Sequence, residues 1–214
     1  MRYLNKIVFI NSAAIRYSEV QLDGNIHLIG TQGVGKSTIL RAILFFYNAD
    51  TQRLGIPVEK KSYQDYYFPY ADSSIIYEVA REDGWFTVLS YKTMNRICYR
   101  FIASPYRPDL FIDEEGAPYP SDRIRSVLDK NGIKYSGAIS TYEEYRNILY
   151  GNSDNKRDYS CYSLMESGSY QNIIRTIQNV LLNSRLEADY IKQTIITSLN
   201  EADSVIDLSR YRSH

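Results

Sequence analysis

Metal and thiol chemistry have little to work with in this chain. Its 214 residues include two histidines, His27 and His214, and two cysteines, Cys98 and Cys161. The cysteines stand far apart without metal-ligand spacing and read as reduced thiols, and two isolated histidines give no footing for a His-based metal centre or triad. Net charge is also missing: 25 Lys and Arg balance 25 Asp and Glu, for a formal charge of +0. That excludes a histone-like global basic field while leaving a local basic patch open. No apolar run approaches the ~18 residues of a membrane helix. The opening "MRYLNKIVFINS" lacks a long apolar core and a small-residue cleavage site, so no signal peptide is expected and the reading is cytoplasmic, without a membrane partner. The apolar fraction of 44% and charged fraction of 23% are those of a globular chain able to bury a core. Tyrosine is abundant at 21 residues, and reads as amphipathic strand and interface residues.

Periodicity divides the chain. Lys6–Ile10, Tyr17–Leu22 and Asn25–Gly30 read as strands, the last two joined by Asp23-Gly24, a dipeptide suited to a tight hairpin. A buried helix follows Gly35, carrying Ile39, Leu40, Ala42, Ile43, Leu44 and Phe45. Asn48–Lys61 reads as a loop, and the aromatic Ser62–Tyr70 as irregular. Ser74–Arg81, Trp85–Tyr91 and Arg96–Ile102 then form an antiparallel meander turning at Asp83-Gly84 and Asn95. In the strands, Ile75, Tyr77 and Val79 share a face, as do Ile97, Tyr99 and Phe101. Two short helices follow. One is capped by Ser121, striped by Ile124, Val127 and Leu128, and closed by Gly132. The other has Thr141 and Glu144 as a capping box, a stripe of Tyr145, Ile148 and Leu149, and Gly151 at its end. Asn152–Ser169 reads as a linker, and helical period returns from Tyr170 to the end. The expected division is residues 1–169 as one lobe and 170–214 as a helical segment.

Gly30, Gly35, Lys36 and Ser37 satisfy G-x4-G-K-[ST], between an apolar strand and an apolar helix. Glycines let such a loop turn its amides inward, and those amides together with the helix N-terminus hold phosphates. Lys36 would lie along the β- and γ-phosphates, Ser37 would place its hydroxyl on Mg2+, and Gly33 and Thr38 would add contacts to the α- and β-phosphates. A guanine-reading Asn-Lys-x-Asp after the loop is missing, so ATP with Mg2+ is the expected ligand pair. A hairpin before the loop and a meander after its helix depart from the alternating βα order of nucleotide kinases and Ras-like GTPases, and match the layout of ABC-type ATPases.

The stretches "LNKIVFINSAAI" and "LDGNIHLIGTQGVGKSTILRAILFFY" resemble the N-terminal head lobe of SMC-like ATPases. With "SYQDYYFPYADSSIIYEVAREDG" and "STYEEYRNILYG", the chain looks most like condensin-like subunits of MksF/JetC type from Wadjet anti-plasmid systems. The resemblance implies an α/β P-loop NTPase fold: an ABC-type head lobe with a mixed core sheet, an antiparallel meander and C-terminal helices leading toward a coiled coil. It also implies a split ATPase. This lobe binds ATP and Mg2+, a C-lobe supplies the signature motif and the Walker B acid, two heads pair as a homodimer around ATP, and the assembly acts on DNA in maintenance or defence. Gln32 stands where that family commonly has Asn, which keeps an amide beside the phosphates.

The remaining parts of a hydrolase are scarce here. "PDLFIDEEG" offers Asp113 and Glu114 as a Walker B lookalike, but Pro108-Asp109 truncates the strand and Glu115-Gly116 suits a solvated turn. Gln64 is the candidate Q-loop glutamine. Lys60, Lys61, Lys92, Arg96 and Arg100 are the candidate DNA patch, against the plain alternative of a solvated face. Two rival readings stay open: a self-contained P-loop NTPase or phosphotransferase, and a nucleotide-dependent interaction module that does not hydrolyse.

Overall fold

The computed structural model describes residues 2–23, 35–48, 62–94, 96–151 and 159–164. The chain opens with a hairpin of β1 (Tyr3–Ser12) and β2 (Ile15–Gln21). Asn11 and Ala13 turn it with φ of 44° and 55°. Asn is one of the few residues that takes this left-handed region readily. Asn11 is further held by its Nδ2 donating to Asp72 at 2.9 Å and by its carbonyl accepting from Ser73 Oγ at 2.5 Å.

Next come helix α1 (Lys36–Asn48), the short helix α2 (Tyr63–Tyr67), and strands β3 (Ser74–Arg81), β4 (Gly84–Thr93) and β5 (Arg96–Ile102). The expected meander is present. Its first turn is Glu82-Asp83 rather than Asp83-Gly84, because Gly84 pairs with Arg81 as the first residue of β4 at φ 143°. Asn95, expected to turn the second hairpin, lies outside the described residues, between the paired Thr93 and Arg96. β3 pairs with β1 from Tyr3↔Ala80 to Ile10↔Ser74, so the five strands form one sheet in the order β2-β1-β3-β4-β5. Every pairing among the described strands is antiparallel. The expected mixed core sheet therefore does not appear among them, and the strand expected at residues 25–30 lies outside the described residues. The physical reason for one sheet is visible in β1 and β3. Both are buried on both sides, so each needs a neighbour on each edge and a layer on each face.

Those layers divide cleanly by strand alternation. Phe9, Ile75, Tyr77, Val79, Phe86, Val88, Tyr99 and Phe101 face one way, onto α1, α2 and helix α4 (Tyr142–Leu149). Val8, Ile10, Ile76, Leu89, Cys98 and Ile102 face the other, onto Leu110, Phe111 and helix α3 (Ser121–Lys130). The free edge of β5 is covered by residues 135–139, which bridge at Tyr99↔Ile139 and Ile102↔Tyr135.

Helix ends follow the expected chemistry with one shift. Thr141 Oγ1 accepts from Glu144 N at 3.2 Å, and Gly151 ends α4 at φ 70°. Ser121, expected as the cap of α3, is instead its first helical residue; the cap position is Pro120, which has no side-chain donor or acceptor to offer. α2 replaces an expected irregular stretch. Ser62 Oγ caps it by accepting from Asp65 N at 3.2 Å, a Ser-x-x-Asp signal too short to show as periodicity. The expected linker at 152–169 is described only at 159–164. There Arg81 Nη1 donates to the carbonyls of Ser160 and Ser163 at 2.8 and 3.0 Å, tying that segment to the β3–β4 hairpin. The helices expected from Tyr170 onward lie outside the described residues.

The abundance of tyrosine has a specific use that composition does not reveal. Four tyrosine hydroxyls donate to backbone carbonyls of α1. Tyr67 reaches Thr38 O at 2.7 Å, Tyr77 reaches Ala42 O at 3.1 Å, and Tyr145 reaches Phe46 O at 2.6 Å. Tyr150 bonds to Tyr47 O. Residues 38, 42 and 46 are each four apart and so lie on one stripe of the helix. Phe46 and Tyr47 fall in the last turn, where carbonyls lack N–H donors within the helix, and no basic residue stands there. Tyrosines thus supply the C-terminal cap.

Tyr145→Phe and Tyr150→Phe each keep the ring and remove one such bond. Each is expected to cost about 1 kcal/mol, read as a lower denaturant midpoint, because each strands a buried carbonyl. Burial, with lesser repulsion among neighbouring tyrosines, raises Tyr145 and Tyr63 well above the ordinary value; burial likewise raises Tyr77. The unfolded chain ionises first, near pH ~10. The contribution of these groups to stability is therefore complete below that pH and falls as pH rises through their folded values. In an alkaline titration the tyrosinate absorbance of these buried groups should appear cooperatively with loss of secondary structure, as a step separate from that of the exposed tyrosines.

Candidate phosphate-binding site

The described part of the glycine-rich motif is its second half. Gly35 has φ 84°, and its carbonyl accepts from Thr38 N at 3.0 Å and Ile39 N at 3.1 Å. It is the last non-helical residue before α1. By helix geometry the amides of Lys36 and Ser37 have no acceptor within their own helix. No acidic residue occupies the first turn. The positive end of the helix dipole therefore meets no carboxylate of that turn, a setting suited to an anion. Ser37 is exposed, Lys36 is half-buried and Thr38 is buried.

The residues present fit a nucleotide phosphate with its cation. Lys36 supplies an ammonium, Ser37 an exposed hydroxyl for a hard cation, and Gly35 a backbone turn that L side chains resist. Gly30, Gln32 and Gly33, the other expected contacts, lie outside the described residues.

α2 packs on this first turn and is the part that residue pattern alone misses. Tyr67 OH donates to Thr38 O, and Tyr66 OH lies 3.0 Å from Thr38 Oγ1. Tyr63 stacks on Tyr67 with centroids 4.3 Å apart and on Phe45 at 4.2 Å, joining α2 to the middle of α1. The available signal was the aromatic density of "SYQDYYFPY", which shows that something packs there but not against what. Gln64 lies on this same α2 and is half-buried.

Asp113 is placed elsewhere. Its Oδ1 accepts from Glu115 N at 3.0 Å and Ala117 N at 2.8 Å, closing a turn flanked by the Ile112↔Pro118 bridge. The preceding Leu110 and Phe111 are buried with α3, on the face of the sheet opposite α1. Glu114 is exposed at the same turn. Neither acid is brought to the first turn of α1.

Three members of the candidate basic patch, Lys92, Arg96 and Arg100, lie among the described residues. Arg100 is buried, with its guanidinium 5.1 Å from the Tyr135 ring centre, and Lys92 pairs with Asp65 at 3.3 Å. Arg96 is exposed, and Lys60 and Lys61 lie outside the described residues. Among the described residues no group of three or more His, Cys, Asp and Glu is arranged to hold a metal, and no helix is long and apolar enough to cross a membrane. Cys98 and Cys161 are unbridged.

A family model described as "Protein of unknown function (DUF3584)" matches residues 12–213. No curated protein matches the chain.

A Cβ added at Gly35 meets nothing within 4 Å, so only the backbone opposes substitution. Gly35→Ala is expected to lower stability by about 1–2 kcal/mol through the left-handed φ alone. A denaturant midpoint unchanged from wild type would contradict that geometry.

Proposed function

The chain belongs to the DUF3584 family, and on that footing we propose that it is the ATP- and Mg2+-binding N-terminal lobe of an SMC-like, DNA-associated ATPase. The observation that carries this reading is Gly35 at φ 84°, opening a helix with no acid in its first turn, inside a G-x4-G-K-S sequence. The association of the family with large SMC-like coiled-coil proteins supports it. So does the resemblance of Leu4–Tyr47 to an SMC-like head lobe.

In this reading the motif residues Gly30, Gln32 and Gly33, outside the described residues, would add contacts to the phosphates. Lys36 sets its charge against the β- and γ-oxygens, Thr38 donates to the α/β region, and Ser37 orients the cation. Bound Mg2+ supplies the remaining charge neutralisation. The lobe holds nucleotide, while the acid that activates water comes from a C-lobe when two heads engage. The Asp113 turn on the far face of the sheet supports that division. Cytoplasmic DNA maintenance or anti-plasmid defence is the setting that the resemblance suggests.

The same Asp113 geometry favours a second reading, a nucleotide-dependent interaction module without hydrolysis. It differs in one outcome: no phosphate is released even when a C-lobe partner and DNA are present.

Titration calorimetry with Mg-ATP should show saturable binding by the wild-type chain. Lys36→Ala should weaken it about 10–100-fold, the value of a charge-assisted contact of roughly 1.5–3 kcal/mol. Phosphate release by the chain alone should be negligible. Robust turnover by this chain alone, lost on Asp113→Asn, would overturn the half-site reading.

A further inference from the structure

Tyr66 is a surface tyrosine, 39% exposed, yet its hydroxyl is not left to water. It lies 3.0 Å from Thr38 Oγ1, the hydroxyl two residues after the motif lysine. Resting on the nucleotide reading above, we propose that Tyr66 is a positioning residue for the phosphates: its hydroxyl donates to Thr38 Oγ1 and so turns the Thr38 proton toward the bound anion.

The need for such a partner follows from threonine in a helix. A helical threonine hydroxyl has a competing acceptor in the carbonyl three or four residues back, and a proton given to its own helix is lost to a ligand. A hydroxyl carries one proton and two lone pairs, and it rotates to suit its surroundings. With either oxygen of the pair able to donate, arrival of an anion selects one direction: Tyr66 O–H to Thr38 Oγ1, and Thr38 O–H to phosphate oxygen. Each bond in such a chain polarises the next, and the effect is greatest when the last acceptor is charged.

The rest of α2 holds the pair in place. Tyr67, fully buried, fixes Thr38 from the other side through its carbonyl at 2.7 Å. Tyr66 meets Tyr67 edge to face, with centroids 5.0 Å apart and planes at 82°. Asp65, next in the chain, accepts from Ser62 Oγ at 2.7 Å and from Lys92 at 3.3 Å. Adjacent tyrosines thus divide the work. The buried one builds the contact between α2 and α1, and the exposed one addresses the threonine side chain.

The test is a double-mutant cycle on the full-length chain, titrating Mg-ATP and Mg-ADP into wild type, Tyr66→Phe, Thr38→Val and the double variant, with Lys36→Ala alongside. Tyr66→Phe should weaken both nucleotides about 3–10-fold, the size of one neutral hydrogen bond, with its melting temperature unchanged. Thr38→Val should weaken them about tenfold or more, and the double variant should match Thr38→Val rather than multiply the two losses. Wild-type affinity in Tyr66→Phe, or multiplied losses in the double variant, overturns the assignment. So does a loss seen in Tyr66→Ala but not in Tyr66→Phe, which would put the effect in the ring. If wild type shows Lys36-dependent binding and Tyr66→Phe is indifferent, only the role of Tyr66 fails. If wild type shows no Lys36-dependent binding, the phosphate-loop reading fails and this inference goes with it.

Discussion

Hydrogen bonds from tyrosine hydroxyls to the carbonyls of α1 are what the rest of the structure is arranged around. They come from α2, from β3, from α4 and from the residue after α4, so every layer on that face of the sheet is fastened to one helix. A buried helix C-terminus could be compensated by lysine or arginine, but a charge there would have to be desolvated. Neutral hydroxyls satisfy the same carbonyls without that cost. At the opposite end, Gly35 opens the helix and no acid occupies the first turn. The two ends are treated unequally: one is capped from within the core, and the other carries no acid in its own first turn.

Much of this was legible in the residues. Alternation identified the three strands of the meander and their inward faces, because β3 and β5 carry aromatic and β-branched side chains on one side in strict period. Thr141 and Gly151 marked the ends of α4 because cap chemistry is local. Other features were not legible. Nothing in the sequence of β1 or β3 says that they are partners across the intervening residues, since strand pairing is a tertiary choice that leaves no short-range mark. α2 was hidden because five residues cannot display a helical period. The candidate site was half legible: the motif named Lys36, Ser37 and Thr38, while the tyrosines that fix Thr38 looked like generic interface residues. Of the candidate basic patch, Arg100 looked available by composition and is buried against Tyr135.

The sheet also sorts chemistry by side. α1 lies on one face, and the acidic turn at Asp113 belongs to the layer on the other. A sheet with both faces covered is a barrier that no side chain crosses, so proximity in sequence or in motif order counts for nothing once two groups are assigned to different faces. Asp113, the acid that the residue pattern offered, therefore belongs to a different layer from the first turn of α1.

β1 and β3 are neighbours in the sheet, yet the chain leaves between them to make β2, α1 and α2 before it returns. The cost of closing such an excursion rises only with the logarithm of its length, about 0.6 kcal/mol for each doubling. The sheet is therefore nearly indifferent to how long the detour is. Residues can be added to or trimmed from the chain between β1 and β3 at little cost to the pairing of the two strands, which makes the sheet a frame tolerant of insertion.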